Sequence, residues 1–558
     1  MSPSRSSRLR SLLVALVAIG LFLPLAVEAQ QGRPGPTRSS QADRFDPRVP
    51  EDGISSEARV FEATLRAIRD FALTSHADSV LWEKAIDGLI QGLDDPYATV
   101  LTPDEVRAFQ EESTGNYAGI GVQITELNEA VTITAVFRNT PADRAGLQVG
   151  DRIVGVNEDQ ANGWTVEDAS NRIRGEPGST VRVMVSRDGI STPIPHDIRR
   201  EQVHIPAVTS ERIFDDLGYI LLDRVARNSA AEVDSVLKEM DGSRGLILDL
   251  RRNPGGYLDE SLTLADLFLD RGSVLVTTRS RNPGNNAAVS EESAYARRAA
   301  QLPGVPLIVL VDRFSASASE IVAGALQDHD RALVIGERTF GKGSVQSVLP
   351  LPAGRLIRLT SGEWYTPQGR SLNRPRDREG RVIESDEVPE FTSRAGRKLQ
   401  GGGGVFPDVE VANDTLSTRE QELISASVEA EIPLTLRIQE AAFEASQGVR
   451  QSGDLDAELP DAAFAGFRDS LLRSGLPASA LNEETEAYLR WRLEVAFYQR
   501  LDRTDRSLEV QARRDPVLAE AVRLLREATD QADLFARAGH PLPEALPESI
   551  RNRAGSRK

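Results

Sequence analysis

Three stretches of this chain carry residues whose types and spacing could do chemistry. The first, "GERTFGKGSVQSV" from Gly336 to Val348, comes within one residue of a phosphate-binding loop. Such a loop has four residues between its glycines and then Gly-Lys-Ser/Thr, so that amides cradle phosphate and the hydroxyl meets magnesium. Gly336 and Gly341 are correctly spaced, but Gly343 stands where the hydroxyl belongs. Lys342 is therefore either part of a degenerate nucleotide site or has another task. The second stretch, "DRFSASASEIVAGALQD" from Asp312 to Asp328, places Ser317 and Glu320 as a capping box that could simply satisfy a helix start. The third, "DLRRNPGGYL" from Asp249 to Leu258, contains an NPGG that reads by itself as a turn. Taken singly, Lys342 is a solvated loop charge and Gln346 a strand-face amide.

Residue types that other mechanisms need are missing or scattered. Cysteine is absent, which excludes disulfides, thiol catalysis and cysteine metal sites. His76, His196, His204, His329 and His540 show no metal-type pairing such as HExxH, so no metal and no cofactor is expected. His329 follows Asp328 a full helix length from Ser317, and a Ser-His-Asp triad has no positive support.

The elements that must position these stretches can be read along the 558 residues, too many for one core. Arg5, Arg8 and Arg10 precede the apolar run "SLLVALVAIGLFLPLA", which ends in "VEA". That order predicts a secretory signal over 1–29 cleaved after Ala29, and hence an exported protein of the periplasm or cell envelope. Pro24 and the short run argue against a retained anchor. Removing the segment shifts the formal charge from -18 to -20, since it carries three arginines and Glu28. So acidic a surface repels nucleic acid. Residues 30–55 read as a disordered linker, and 56–113 as a helical module, with Thr102 and Pro103 starting its third helix.

From 114 to 200 the period changes to strands. "NTPADRAGLQVGDRIVGVNEDQ" resembles the helix, Gly-Asp turn and strand of the PDZ family, and "YAGIGVQI" stands where that family keeps its carboxylate-binding loop. The resemblance implies that Gly119, Ile120, Gly121 and Val122 bind peptide. Their amides would take the terminal carboxylate while the peptide adds a strand to the sheet edge. From 201 to 413 strands and helices alternate, which predicts an α/β layered core. Within it Asn373 to Gly404 looks like an inserted loop. From 414 to 558 the chain is helical with a polar tail, able to cover the core or to dock on a partner; the sequence does not choose.

In order and spacing, the three stretches and the PDZ signal closely resemble the carboxyl-terminal processing peptidases, or tail-specific proteases, over residues 57–413. The resemblance implies a multidomain α/β protein: helical N-terminal module, PDZ β-domain, crotonase/Clp-like serine peptidase core and helical C-terminal region. It makes Ser317 the nucleophile, Lys342 its base and Gln346 the support of that lysine. A serine needs an adjacent base, and a lysine serves only when neutral. Against a free value near ~10.4, that requires burial worth about 3 pKa units, or roughly 4 kcal/mol. If the strand "SVQSVLPL" begins early enough, Lys342, Ser344 and Gln346 share one face. Glycines on both sides of Lys342 are expected to let it approach the serine. At the helix start the Ala318 amide is free to meet an oxyanion. The family's second donor comes from the NPGG turn, Gly256 in preference to Gly255. Arg174 is a candidate sensor of PDZ occupancy, or else a solvent-facing arginine.

The expected function is that of an exported serine endopeptidase recognising C-terminal or unfolded segments of protein or peptide substrates. It uses neither nucleotide nor nucleic acid, and an adaptor or homo-oligomeric partner is left open. The alternatives are an inactive PDZ scaffold, opposed by the retention of serine, lysine and glutamine together, and a nucleotide hydrolase. A phosphate loop must lead into a helix, whereas "SVQSV" is strand-like.

Overall fold

The computed structural model describes residues 56–542, apart from 128–129, 138, 188, 282–288, 378–379 and 384–387. The expected signal and linker lie outside the described residues. Among the described residues no helix is long and apolar enough to cross a membrane.

The core is organised by a six-stranded sheet in the order Val208–Ile213, Leu217–Leu222, Gly245–Asp249, Leu307–Val311, Leu333–Gly336, Val409–Glu410. The first pair is antiparallel and the rest are parallel. Gly245–Asp249, Leu307–Val311 and Leu333–Gly336 are buried at every position, so both faces of the sheet must be covered. Leu246, Leu248, Val309 and Val334 meet Val233 and Leu237 of helix Ser229–Glu239 together with Ile321 and Val322 of helix Ala318–Asp328. On the opposite face Ile247, Ile308, Leu310 and Ile335 meet Leu518, Leu525 and Phe535 from helices Pro516–Glu527 and Gln531–Arg537. The end of the helical C-terminal region is thus the third layer of the core. The preceding helices form a core of their own and touch the PDZ unit, Arg500 donating to the Thr134 carbonyl at 3.4 Å.

A second sheet runs Thr99–Leu101, Arg355–Tyr365, Val274–Arg281, Val289–Tyr295, with Ser344–Leu351 also paired to Arg355–Tyr365. Its first strand comes from the N-terminal module, whose helix Pro103–Thr114 sets Phe109 against Val348 and Leu356. The PDZ unit has a sheet ordered Val122–Leu127, Ala130–Val136, Arg152–Val156, Thr180–Ser186, Ile194–Arg199. Its core includes Ile120, Ile133, Val181, Val183 and Ile198. The strand leading in, Asn116–Gly119, pairs antiparallel with the strand leading out, Glu201–His204, and closes the unit at its base.

The segment expected as an inserted loop is anchored. It contains the hairpin Glu390–Thr392 and Lys398–Gln400. Buried Arg397 pairs with Asp330 at 2.6 Å and with Asp408 at 2.5 Å, and just before the segment Arg370 pairs with Asp328 at 2.6 Å. Charges so deeply buried persist only when paired, which fixes this segment beside the end of helix Ala318–Asp328.

Candidate active site

Ser317 stands immediately before helix Ala318–Asp328 at φ 56° and ψ -115°, a backbone state a non-glycine residue holds only where its surroundings impose it. The flanking serines do so. Ser315 Oγ donates to the Leu250 carbonyl at 2.7 Å, and Ser319 Oγ to the Asn253 carbonyl at 3.0 Å. Both acceptors belong to the stretch containing NPGG, so alternate serines fasten the two loops together. Ser317 Oγ makes no capping hydrogen bond, and its residue is only 5% exposed. The capping box is formed from the glutamate's side, Glu320 Oε2 accepting from Ser317 N at 2.8 Å.

Glu320 does more than cap. The same Oε2 accepts from Lys342 N at 2.8 Å, while Oε1 accepts from Gly341 N at 2.7 Å and from Thr339 Oγ1 at 2.5 Å. One wholly buried carboxylate therefore joins the backbones of Ser317 and Lys342. Burial pushes its pKa up, and the hydrogen bonds oppose that shift. Three backbone amides and the Thr339 hydroxyl donate to its two oxygens, an arrangement that favours the ionised form. Sequence reading stopped at the capping box; the missed signal was that the glutamate lies inside an apolar helix, at a position buried with the rest of it.

Lys342 is 1% exposed. Burial first, and the Arg358 charge second, push its amine down to about 7, against weaker opposing contributions from Glu320 and Asp95. Nζ donates to Gln346 Oε1 at 3.4 Å, but not for the reason of shared strand face. The strand begins at Ser344, two residues after Lys342, and its register shifts between Val345 and Gln346. The alternation that was to align Lys342, Ser344 and Gln346 does not apply, because Lys342 precedes the ladder and a bulge interrupts it. Ser344 Oγ and Gln346 Nε2 are buried with no hydrogen-bond partner among the described protein atoms.

The glycines beside Lys342 also have another use. A Cβ on Gly343 would come within 2.6 Å of Asn373 N, and one on Gly341 within 2.5 Å of the Arg374 side chain and 3.1 Å of Gly404 N. They admit the anchored 373–404 segment, not the serine, because backbone passes where side chains would stand. The near-phosphate loop runs into strand Ser344–Leu351 and offers no helix N-terminus to a phosphate.

Of the oxyanion candidates, Gly255 N is already engaged, donating to Asn253 Oδ1 at 2.9 Å. Gly256 N and Ala318 N have no acceptor among the described hydrogen bonds. The turn lies against the nucleophile: a Cβ on Gly255 would stand 2.9 Å from Ser317 Cβ and 2.8 Å from Ala318 N. His329 is remote at the other end of the helix, its Nε2 2.7 Å from the Val274 carbonyl.

In the PDZ unit, Gly119 ends the incoming strand, Ile120 is buried, Gly121 has φ 86° and Val122 opens the edge strand. The ring of Tyr117 lies where a Cβ on Gly119 would sit, and the Gly121 N–H lies near its hydroxyl. Arg174 stacks over that ring at 5.2 Å and pairs with Glu111 of helix Pro103–Thr114 at 2.7 Å. It is thus a link between the PDZ unit and the helix packed on the lysine strand.

Comparison with known proteins matches two segments of the chain to known families. Residues 216–380 match Peptidase family S41 and residues 109–186 match the PDZ domain. A carboxy-terminal-processing protease from Bartonella bacilliformis is 34% identical over 315 residues, covering 55% of this chain and 70% of that protein. The carboxy-terminal processing protease CtpA from Bacillus subtilis is 32% identical over 299 residues, covering 53% of this chain and 62% of that protein. Among solved structures, the photosystem II D1 C-terminal processing protease matches at 27% identity and TM-score 0.34, covering 64% of this chain and 94% of that chain.

Proposed function

Because this chain belongs to peptidase family S41 and is a carboxy-terminal processing serine protease, we propose that Ser317 is its nucleophile and Lys342 its general base. The observation that carries this reading is a wholly buried lysine amine, held near neutrality, on a backbone fastened to the same carboxylate oxygen as the serine.

Neutral Lys342 Nζ takes the proton from Ser317 Oγ as the oxygen attacks the scissile carbonyl carbon. Negative charge develops on the carbonyl oxygen, where Ala318 N–H and Gly256 N–H donate to it. Collapse breaks the C–N bond, and the departing amine takes the proton back from the Lys342 ammonium. A water then enters, gives its proton to the same lysine and attacks the acyl-enzyme, and the proton returns to Ser317 Oγ as the ester bond breaks. Gln346 Oε1 directs the amine throughout. The PDZ loop at 119–122 captures the substrate's C-terminal carboxylate, and the N-terminal 29 residues direct export to the cell envelope.

Purified Ser317→Ala and Lys342→Ala are expected to cleave an unfolded protein at least ~10³-fold more slowly than wild type. Cleavage by Ser317→Ala at the wild-type rate would falsify the reading.

A further inference from the structure

The space around the Lys342 amine is completed by a residue from outside the peptidase core. After helix Asp78–Gln91 the chain turns tightly, and Tyr97 N donates to Asp95 Oδ1 at 3.0 Å. The Asp95 carboxylate also reaches strand Arg355–Tyr365, accepting from Thr360 N at 2.9 Å and from Thr360 Oγ1 at 3.0 Å. Arg358 Nε of that strand donates to the Tyr97 carbonyl at 3.3 Å. Directly afterwards Thr99–Leu101 pairs with the same strand. Tyr97 is therefore pinned from both sides to the strand that neighbours the lysine strand.

Its ring faces the amine, with Lys342 Nζ 4.7 Å from the ring centroid. Its hydroxyl lies beside the Arg376 guanidinium. Arg376 stacks at 3.7 Å on the ring of Phe340 and donates to the Phe340 carbonyl at 3.0 Å, two residues before Lys342. The wall is thus held by the N-terminal module on one side and by the anchored 373–404 segment on the other.

We propose that Tyr97 is a positioning residue for the catalytic base: its ring shields the Lys342 amine from water and presents a π face to the ammonium formed when the serine proton is taken. The inference rests on Lys342 being that base. It also makes the N-terminal helical module part of the catalytic apparatus.

Two effects of the ring oppose each other on the resting amine. A π face favours the ammonium by about tenfold. Burial, with the Arg358 charge second, acts the other way and brings the amine from 10.5 down to about 7, on the order of a few thousandfold. Exclusion of water dominates, so opening the wall must raise the amine's pKa. The charged and titratable groups facing the pair are Arg358 from strand Arg355–Tyr365, Glu320 from the nucleophile helix, Asp95 from the turn and Arg376 from the anchored segment. Replacing Tyr97 removes none of these groups; it does free Arg376 from the hydroxyl, a change that Tyr97→Phe makes alone and so controls for.

The test is kcat and KM on an unfolded protein between pH 5.5 and 10, in the full chain, for Tyr97→Phe and Tyr97→Leu. Tyr97→Phe keeps the ring and is expected within about threefold of wild type, with the acid limb in place. For Tyr97→Leu, kcat at pH 7 falls at least about fivefold with KM nearly unchanged. The acid limb moves up by a pH unit or more, and the deficit shrinks toward pH 9.5. A limb that stays in place in Tyr97→Leu overturns the inference. Should that variant not fold, Tyr97→Gln puts a hydrated amide in the ring's place, and the same displacement or its absence decides. Lys342→Ala is measured alongside. If it is inactive while the Tyr97 variants keep the wild-type limb, only this inference fails; if it is active, the assignment of the base fails.

Discussion

The nucleophile site and the PDZ loop are both built around a short glycine-bearing turn with a tyrosine against it, yet they are held with very different force. At the nucleophile, Glu320 takes four hydrogen bonds and is wholly buried, and Ser315 and Ser319 fasten the neighbouring turn. At the PDZ loop, an ion pair between Arg174 and Glu111 ties the unit to helix Pro103–Thr114, each side chain more than a third exposed. Buried charge networks cost several kcal/mol to break, whereas an exposed pair contributes about 0–1 kcal/mol. The first region is suited to keeping one geometry, and the second to changing it when a peptide arrives.

The largest effect that would break this contrast is expected at Glu320. Glu320→Gln turns one acceptor into a donor facing a donor, and kcat/KM should fall at least ~100-fold with a loss of about 3–5 kcal/mol in stability. Steady-state kinetics and denaturant unfolding read both. Near-wild-type values would mean that the carboxylate does not hold the site.

Next in size is the cost of the buried lysine. Its pKa is lowered in the folded protein from 10.5 to about 7, so between those values the unfolded chain binds the extra proton and stability rises with pH. Lys342→Met should therefore be more stable than wild type by up to about 4–5 kcal/mol below pH 7, an advantage that disappears toward pH 10.5. A pH-independent difference in melting temperature would contradict this.

The loosely held region should give smaller responses. Tyr117→Phe removes the hydroxyl that lies near the Gly121 amide, and a C-terminal peptide should bind about 2–5-fold more tightly, one modest hydrogen bond's worth. The corresponding peptide amide should gain nothing, which anisotropy of labelled peptides can distinguish. Arg174→Ala is expected to change stability by less than ~1 kcal/mol. A larger loss on denaturant unfolding would show that this exposed pair couples the PDZ unit more firmly than its exposure predicts.

The same contrast separates what the sequence could show from what it could not. Periodicity placed the PDZ strands and the nucleophile helix, because apolar alternation and helix-start residues are local signals. The exchange of layers was not legible: nothing local in Val517, Leu518 or Phe535 says that they cover Ile247 and Ile308, some 200 residues earlier. At the site, Ser317, Lys342 and Gln346 stood out by motif, but the shared strand face and the use expected of the glycines beside Lys342 did not hold. The strand starts after Lys342, and its glycines admit Asn373 and Gly404. Glu320 looked like a cap because three of its four donors come from residues 19 to 22 positions away. Tyr97 carried no signal, since its partner Lys342 lies in a different domain of the sequence.

The central claim is that Lys342 rests buried and neutral. The chain has five lysines, so side-chain NMR of lysine-labelled Ser317→Ala, titrated from pH 5 to 11, can follow each one. One resonance, absent from the Ser317→Ala, Lys342→Met double variant, should titrate near 7. The absence of any resonance titrating near 7 would contradict the account.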